Sequence, residues 1–138
     1  MIAQCFADTN LFLYAASKDP ADRAKKQIAR ELLATEDIGI SAQVLQEFIA
    51  AASGKKRLGI DEDETAAVVA ELLAFPVLPI TAELVLRALT IKKRQQILYW
   101  DAAIVAAALE MECEVVYSED LSDGQDYGGV VVRNPFLS

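Results

Sequence analysis

The sequence predicts an α/β fold around a parallel or mostly parallel sheet, in one domain spanning residues 1–138. Two observations carry that expectation. Short apolar runs of strand length alternate along the chain with longer stretches of helical periodicity, and 138 residues with 54% hydrophobic content support a single core of ordinary size. A third is negative: with 6 Gly, 4 Pro and 2 Cys the chain is neither collagen-like, disulfide-stapled nor disordered.

Residues 2–7 form a short apolar run that ends at Asp8-Thr9-Asn10, so they read as a buried strand feeding a helix. Residues 11–16 and 21–34 are helical, the second stretch with Ala24, Ile28, Leu32 and Leu33 along one face and its Lys and Arg residues on the other. Residues 36–40 are the second strand candidate, after which Ser41 offers an N-cap for a helix running to about residue 52 and stopping at Ser53-Gly54. The acids Asp61, Glu62, Asp63 and Glu64 sit where the positive end of a helix dipole would favour them, and that helix continues over 65–74 until Pro76 ends it. Residues 77–80 are extended, Thr81 caps a helix over 82–94, and 98–111 form a further helix with an Ala-rich middle. The last strands are 114–117 and 129–132, separated by the polar loop 118–127. In such a sheet, ligands sit outside the carboxyl ends of the strands.

Charge narrows the chemistry. Thirteen basic residues against 21 acidic ones give a net charge of −8, which opposes passive adhesion to nucleic acid or anionic membranes. The charges are segregated: apart from Arg133, every base lies in 18–30, 55–57 or 87–94, while 110–126 holds acids and no base. The chain has no His, so imidazole bases, Ser-His-Asp and Cys-His catalysis and His-containing metal sites are excluded. Any acid-base or metal chemistry must use carboxylates. There is no GxGxxG and no GxxxxGK[ST], which disfavours nucleotide-dependent dehydrogenases and P-loop enzymes. Cys5 and Cys113 stand in apolar surroundings without CxxC spacing and read as buried, reduced thiols. The start MIAQCFADTN has no basic region ahead of an apolar run, and no run approaches the ~20 residues of a spanning helix. A cytoplasmic protein without membrane association is expected.

Three places draw attention. Asp8 follows the first strand, and two readings stand side by side, a site carboxylate or the N-cap of the next helix. Asp101 begins a helix that is apolar on every face until Glu110; a carboxylate on so buried a helix needs a cation or hydrogen-bond donors. The loop Ser118-Glu119-Asp120-Leu121-Ser122-Asp123 again puts acids at the end of a strand. Repeated acids of this kind suit a hard divalent cation, because Mg²⁺ and Mn²⁺ prefer oxygen ligands. By periodicity alone Glu47 is a solvated residue, since the apolar face of its helix is centred on Leu45, Phe48 and Ala52.

The segments Asp8-Thr9-Asn10, Ser41-Ala42-Gln43-Val44-Leu45-Gln46-Glu47-Phe48, Trp100-Asp101-Ala102-Ala103-Ile104, Tyr117-Ser118-Glu119-Asp120-Leu121 with Gly124-Gln125, and Asn134-Pro135-Phe136 resemble, in order and spacing, a family of metal-dependent ribonucleases. The family is that of the PIN domains, above all the toxins of bacterial and archaeal VapBC-type toxin-antitoxin pairs. The resemblance implies a three-layer α/β/α sandwich in which Asp8, Glu47, Asp101 and Asp120 meet in one pocket, overruling the periodicity reading of Glu47. It makes Asp8, Asp101 and Asp120 metal ligands and Glu47 a ligand or the group that orients or deprotonates water. Thr9, Asn10 and Ser118 would support the site, and Asp123 would be an alternative fourth acid. The implied activity is Mg²⁺- or Mn²⁺-dependent cleavage of RNA, with an antitoxin as protein partner and self-association into a homodimer. Rival expectations are a module of the same fold that binds RNA or protein without cleaving, a general RNA-processing nuclease, and a phosphatase with an aspartyl intermediate. The last is opposed by the missing second Asp two positions after Asp8.

Overall fold

The computed structural model describes residues 2–54 and 58–137, so the basic triplet Lys55, Lys56 and Arg57 lies outside the described residues. Strands β1 (Cys5–Ala7), β2 (Ile38–Ser41), β3 (Val77–Leu78), β4 (Val115–Tyr117) and β5 (Val131–Arg133) form one sheet. Their order is β3-β2-β1-β4-β5 and every pair is parallel, with Phe6 opposite Gly39 on one side and Val116 on the other. The helices are α1 (Thr9–Ala16), α2 (Arg23–Thr35), α3 (Ala42–Gly54), α4 (Glu62–Leu72), α5 (Ala82–Gln95) and α6 (Tyr99–Glu110), with a 3₁₀ turn, Pro20–Asp22, before α2.

The connections dictate the layers. The chain passes from β1 through α1 and α2 to β2, then through α3 and α4 to β3, moving the same way across the sheet each time. It then returns through α5 and α6 to β4, on the far side of β1. Right-handed crossovers place helices from opposite directions on opposite faces, so α1 to α4 cover one face and the α5–α6 pair the other. Both faces are therefore dry: every residue of β1 and β2 is buried. Phe6, Leu11, Ile40, Phe48, Ile104, Val116 and Val132 form the centre of the core. Packing across it is tight enough that a Cβ on Gly39 would stand 2.5 Å from Cε of Met111. The strand order reverses between β1 and β4, and a reversal opens a crevice at the carboxyl ends of those two strands.

All five expected strands and the expected helices are present, with local differences that have physical causes. Helix α1 begins two residues early because Asp8 caps it. On α2 the inward face is turned from the expected one: Ala29 is buried and Leu32 and Leu33 pack on the core, while Ala24 and Ile28 are exposed. A 3₁₀ turn, capped by Asp19 and begun by Pro20, delays the start of α2 to Arg23, and the buried face is set by what packs against the helix. Ser41 is the last residue of β2, and its hydroxyl has no hydrogen-bond partner among the described residues, so it does not cap α3 as expected. In α4, Asp61 and Glu64 form a reciprocal capping box. β5 starts at Val131 because Gly128 and Gly129 turn the chain with φ of 78° and 113°, a turn closed by Gly129 N–H donating to the Asp126 carboxylate at 2.7 Å. Helix α6 is buried only from Ala102 onward; Trp100 is exposed and Asp101 half-buried. Among the described residues no helix is long and apolar enough to cross a membrane.

Candidate active site

Asp8 stands where β1 turns into α1, and the sheet itself fixes its backbone: Asp8 N–H donates to the Tyr117 carbonyl of β4 at 2.9 Å. Its side chain is 4% exposed. One carboxylate oxygen accepts from Thr9 N–H at 2.7 Å and the other from the Ser118 hydroxyl at 2.7 Å. Burial pushes the Asp8 carboxyl up to about 7, against the pull of those two donors and with help from the charges of Asp120 and Glu47. The two readings of Asp8 are thus not exclusive, since it caps α1 and faces other acids.

Ser118 couples Asp8 to the acidic loop. Its hydroxyl oxygen also accepts from the backbone N–H of Asp120 at 3.1 Å and of Leu121 at 3.3 Å, which folds the loop after β4 back towards β1. Asp120 is exposed and takes a hydrogen bond from Asn10 Nδ2 at 3.2 Å. Glu47, from the middle of α3, accepts from the Thr9 hydroxyl at 2.9 Å. Asp101, in the first turn of α6, is raised above the usual carboxylate range by burial, then by the charges of Asp120 and Glu47. Asp8, Thr9, Asn10, Glu47, Trp100, Asp101 and Asp120 line one open cleft of about 470 Å³. The four acids come from four separate segments of the chain. Asp123 lies elsewhere: it is exposed, and its carboxylate accepts from Asn134 N–H at 2.8 Å.

The family model for the PIN domain matches residues 5–122. The chain belongs to the PIN-domain family. All four cleft acids fall within the matched span and Asp123 falls outside it. Solved structures agree on the fold. A toxin-antitoxin complex from Klebsiella pneumoniae matches at a TM-score of 0.71 and 17% identity, over 96% of this chain and 98% of that one. VapC20 of Mycobacterium tuberculosis, described as a sarcin-ricin loop cleaving toxin, matches at 0.69 and 22%, over 94% and 99%. VapBC2 of Rickettsia felis, bound to a DNA fragment from its promoter, matches at 0.67 and 16%, over 94% and 97%. No curated protein matches in sequence.

The cleft of this PIN domain fits a hard divalent cation by its donor set. All its charged groups are carboxylates, and Asn10 Oδ1 is a buried oxygen without a hydrogen-bond partner among the described residues. Among those residues no three acidic or thiol side chains converge enough to enclose an ion unaided. An open arrangement is what Mg²⁺ tolerates, since it keeps several waters and takes one or two carboxylates. Two residues at or behind the cleft were given no role by the sequence. Trp100 lies on its rim, and Gln43, buried on α3, donates from Nε2 to the Trp100 carbonyl at 3.1 Å and so ties α3 to the start of α6. A buried Gln among apolar neighbours was the available signal.

Proposed function

We propose that this PIN domain is a Mg²⁺- or Mn²⁺-dependent endoribonuclease that acts as the toxin of a toxin-antitoxin pair in the cytoplasm. The observation that carries the reading is the convergence of Asp8, Glu47, Asp101 and Asp120 from four segments on one cleft at the carboxyl ends of β1 and β4. Asp8, Asp101 and Asp120 would hold the cation directly or through bound water. The chemistry supplied by the cation when bound is a lowered pKa for water and neutralisation of charge on the phosphodiester. Glu47 would be a ligand or would orient a water and take its proton; in support, the Thr9 hydroxyl holds one carboxylate oxygen and leaves the other available. The water oxygen would form a bond to phosphorus as its proton passes to Glu47, the bond from phosphorus to one ribose oxygen would break, and that oxygen would take a proton from solvent. Ser118 keeps Asp8 and the Asp120 loop in register throughout.

The toxin role draws on the structural likeness to VapC20 and to two complexes of toxins with their partners. The partner is proposed to be an antitoxin protein; an Arg inserted into the cleft would pair with the carboxylates and occupy metal positions. A homodimer is proposed on the resemblance, and the exposed apolar residues Leu86 and Leu89 on α5 are consistent with a covered face. The test is incubation of purified protein with RNA. Cleavage is expected with Mg²⁺ or Mn²⁺ and not with EDTA; full activity in EDTA, or no cleavage of any RNA with metal, would overturn the proposal. Co-purification with the product of an adjacent short reading frame tests the antitoxin.

A further inference from the structure

A second cleft, of about 670 Å³, opens beside the acidic one and is lined by Lys92, Lys93, Gln96, Ile97, Leu98 and Asp101. Asp101 lines both clefts, so they meet at the carboxylate. In a chain of net charge −8 this is a local exception. Lys92 and Lys93 are exposed in the last turn of α5, and among the described residues neither has an ion-pair partner, whereas Lys18, Lys25 and Arg87 each hold a carboxylate. The left-handed Gln96, with φ of 54°, ends α5 and turns Ile97 and Leu98 towards the junction.

Trp100, the residue before Asp101 in sequence, is 63% exposed and lines the acidic cleft. Its backbone is pinned by the hydrogen bond from Gln43, and its ring meets Tyr99 edge-on at 5.1 Å. A large aromatic face is thus held in solvent on the carboxylate cleft, and the lysine-lined cleft adjoins that cleft at the next residue, Asp101. A molecule that complements all three carries repeated negative charge and flat π faces, which describes a nucleic-acid strand. Bases inside a duplex are covered on both faces by their neighbours and only its two end pairs present a face, so an unpaired strand offers far more bases to the indole.

We propose that this junction is a subsite for an unpaired nucleotide flanking the scissile phosphodiester, with its base stacked on Trp100 and the adjoining phosphates on Lys92 and Lys93. The inference rests on the nuclease reading for the identity of the strand as RNA, and it names how that strand is held. A second copy of the chain is the competing occupant, since Val85 and Leu89 are exposed nearby on α5. The strand is favoured at Lys92 and Lys93 because adjoining phosphates match two neighbouring ammonium groups, while a homodimer can cover Leu86 and Leu89 further along α5.

Trp100 is the single tryptophan, so its fluorescence reports the subsite alone. The full chain is titrated with an unpaired RNA oligonucleotide of about eight nucleotides, within the ~4–16 covered by small single-strand sites, once in EDTA and once in Ca²⁺. Saturable quenching is expected, with at least about tenfold weaker quenching by a blunt duplex of the same sequence, whose two end pairs alone present a face. By anisotropy of a labelled oligonucleotide, Trp100→Ala weakens binding roughly 5- to 150-fold and Trp100→Phe retains most of it. Lys92→Ala with Lys93→Ala lowers the salt dependence of log affinity by about 1.4, at ~0.7 per phosphate. Oligonucleotide binding without quenching, or no binding in either buffer, overturns the subsite even if the protein cleaves RNA. Emission that follows protein dilution and ignores oligonucleotide also overturns it, in favour of a second copy. Quenching by unpaired RNA in a protein that cleaves nothing supports the subsite and overturns the nuclease reading.

Discussion

Replacing Asp8 with Asn separates a metal ligand from a helix cap, and the structure sets the size of the effect. Burial raises Asp8 to about 7 from 3.8, so the folded chain keeps a proton there that the unfolded chain releases. The stability that this proton linkage brings is complete below about pH 4 and is lost as pH rises through about 7. The gap between the two values is worth about 4 kcal/mol at ~1.4 kcal/mol per tenfold change. Asp8→Asn carries no charge and does not suffer that loss. It has a cost of its own, because an amide nitrogen facing Ser118 finds a hydroxyl oxygen already accepting from Asp120 N–H and Leu121 N–H; an unmatched buried donor costs about 1–3 kcal/mol. In EDTA the variant is therefore expected to be about 1–3 kcal/mol more stable than wild type above pH 8 and about 1–3 kcal/mol less stable near pH 4. Saturating Mg²⁺, at ~100 times its dissociation constant, stabilises wild type by about 2.7 kcal/mol, and the variant loses most of that gain. Denaturant melts at both pH values, with EDTA and with Mg²⁺, measure all four quantities. If the difference between the proteins is the same at both pH values and Mg²⁺ shifts them equally, Asp8 is a cap and nothing more.

Ser118→Ala removes the donor to Asp8 and the acceptor for two loop N–H groups, so it is expected to cost about 1–3 kcal/mol; denaturant melts measure it, and RNA cleavage is expected to fall as the Asp120 loop loses its anchor. Gly39→Ala places a methyl 2.5 Å from Met111 Cε and 3.0 Å from Ala3 Cβ, an overpacking expected to cost about 1–3 kcal/mol in the same melts without altering metal affinity. Asp123→Ala, which loses only the hydrogen bond from Asn134 N–H, is expected to keep cleavage within about twofold of wild type and to cost no more than about 1 kcal/mol. A large loss of cleavage would return Asp123 to the site.

The strands and their order of helices were readable because each carries local signals: Asp8 after an apolar run, Thr81 as a cap, the acids from Asp61 to Glu64 at a helix start, Pro76 after a helix. Glu47 was not readable from periodicity. Its helix buries Val44, Phe48 and Ala52, and Glu47 lies round from that stripe, as a solvated residue would. What brings it into the cleft is the Thr9 hydroxyl, 38 positions away in sequence, and no local pattern encodes such a contact. Family resemblance named Glu47 where periodicity did not. The face of α2 and the role of Ser41 failed for a related reason: tertiary packing chooses which side of α2 is buried, and Ser41 is taken up as the last residue of β2. Trp100 and Lys92 gain meaning only through the meeting of α5 and α6.

The most direct test of the central claim is a titration of Mn²⁺ into wild type and Asp101→Asn, with bound metal followed by electron paramagnetic resonance and RNA cleavage measured on the same samples. Wild type is expected to bind Mn²⁺ and to cleave with the same half-saturation, while Asp101→Asn, near-isosteric and half-exposed, stays folded and loses both. Cleavage at full rate without bound Mn²⁺, or unchanged binding and turnover in Asp101→Asn, would contradict the account.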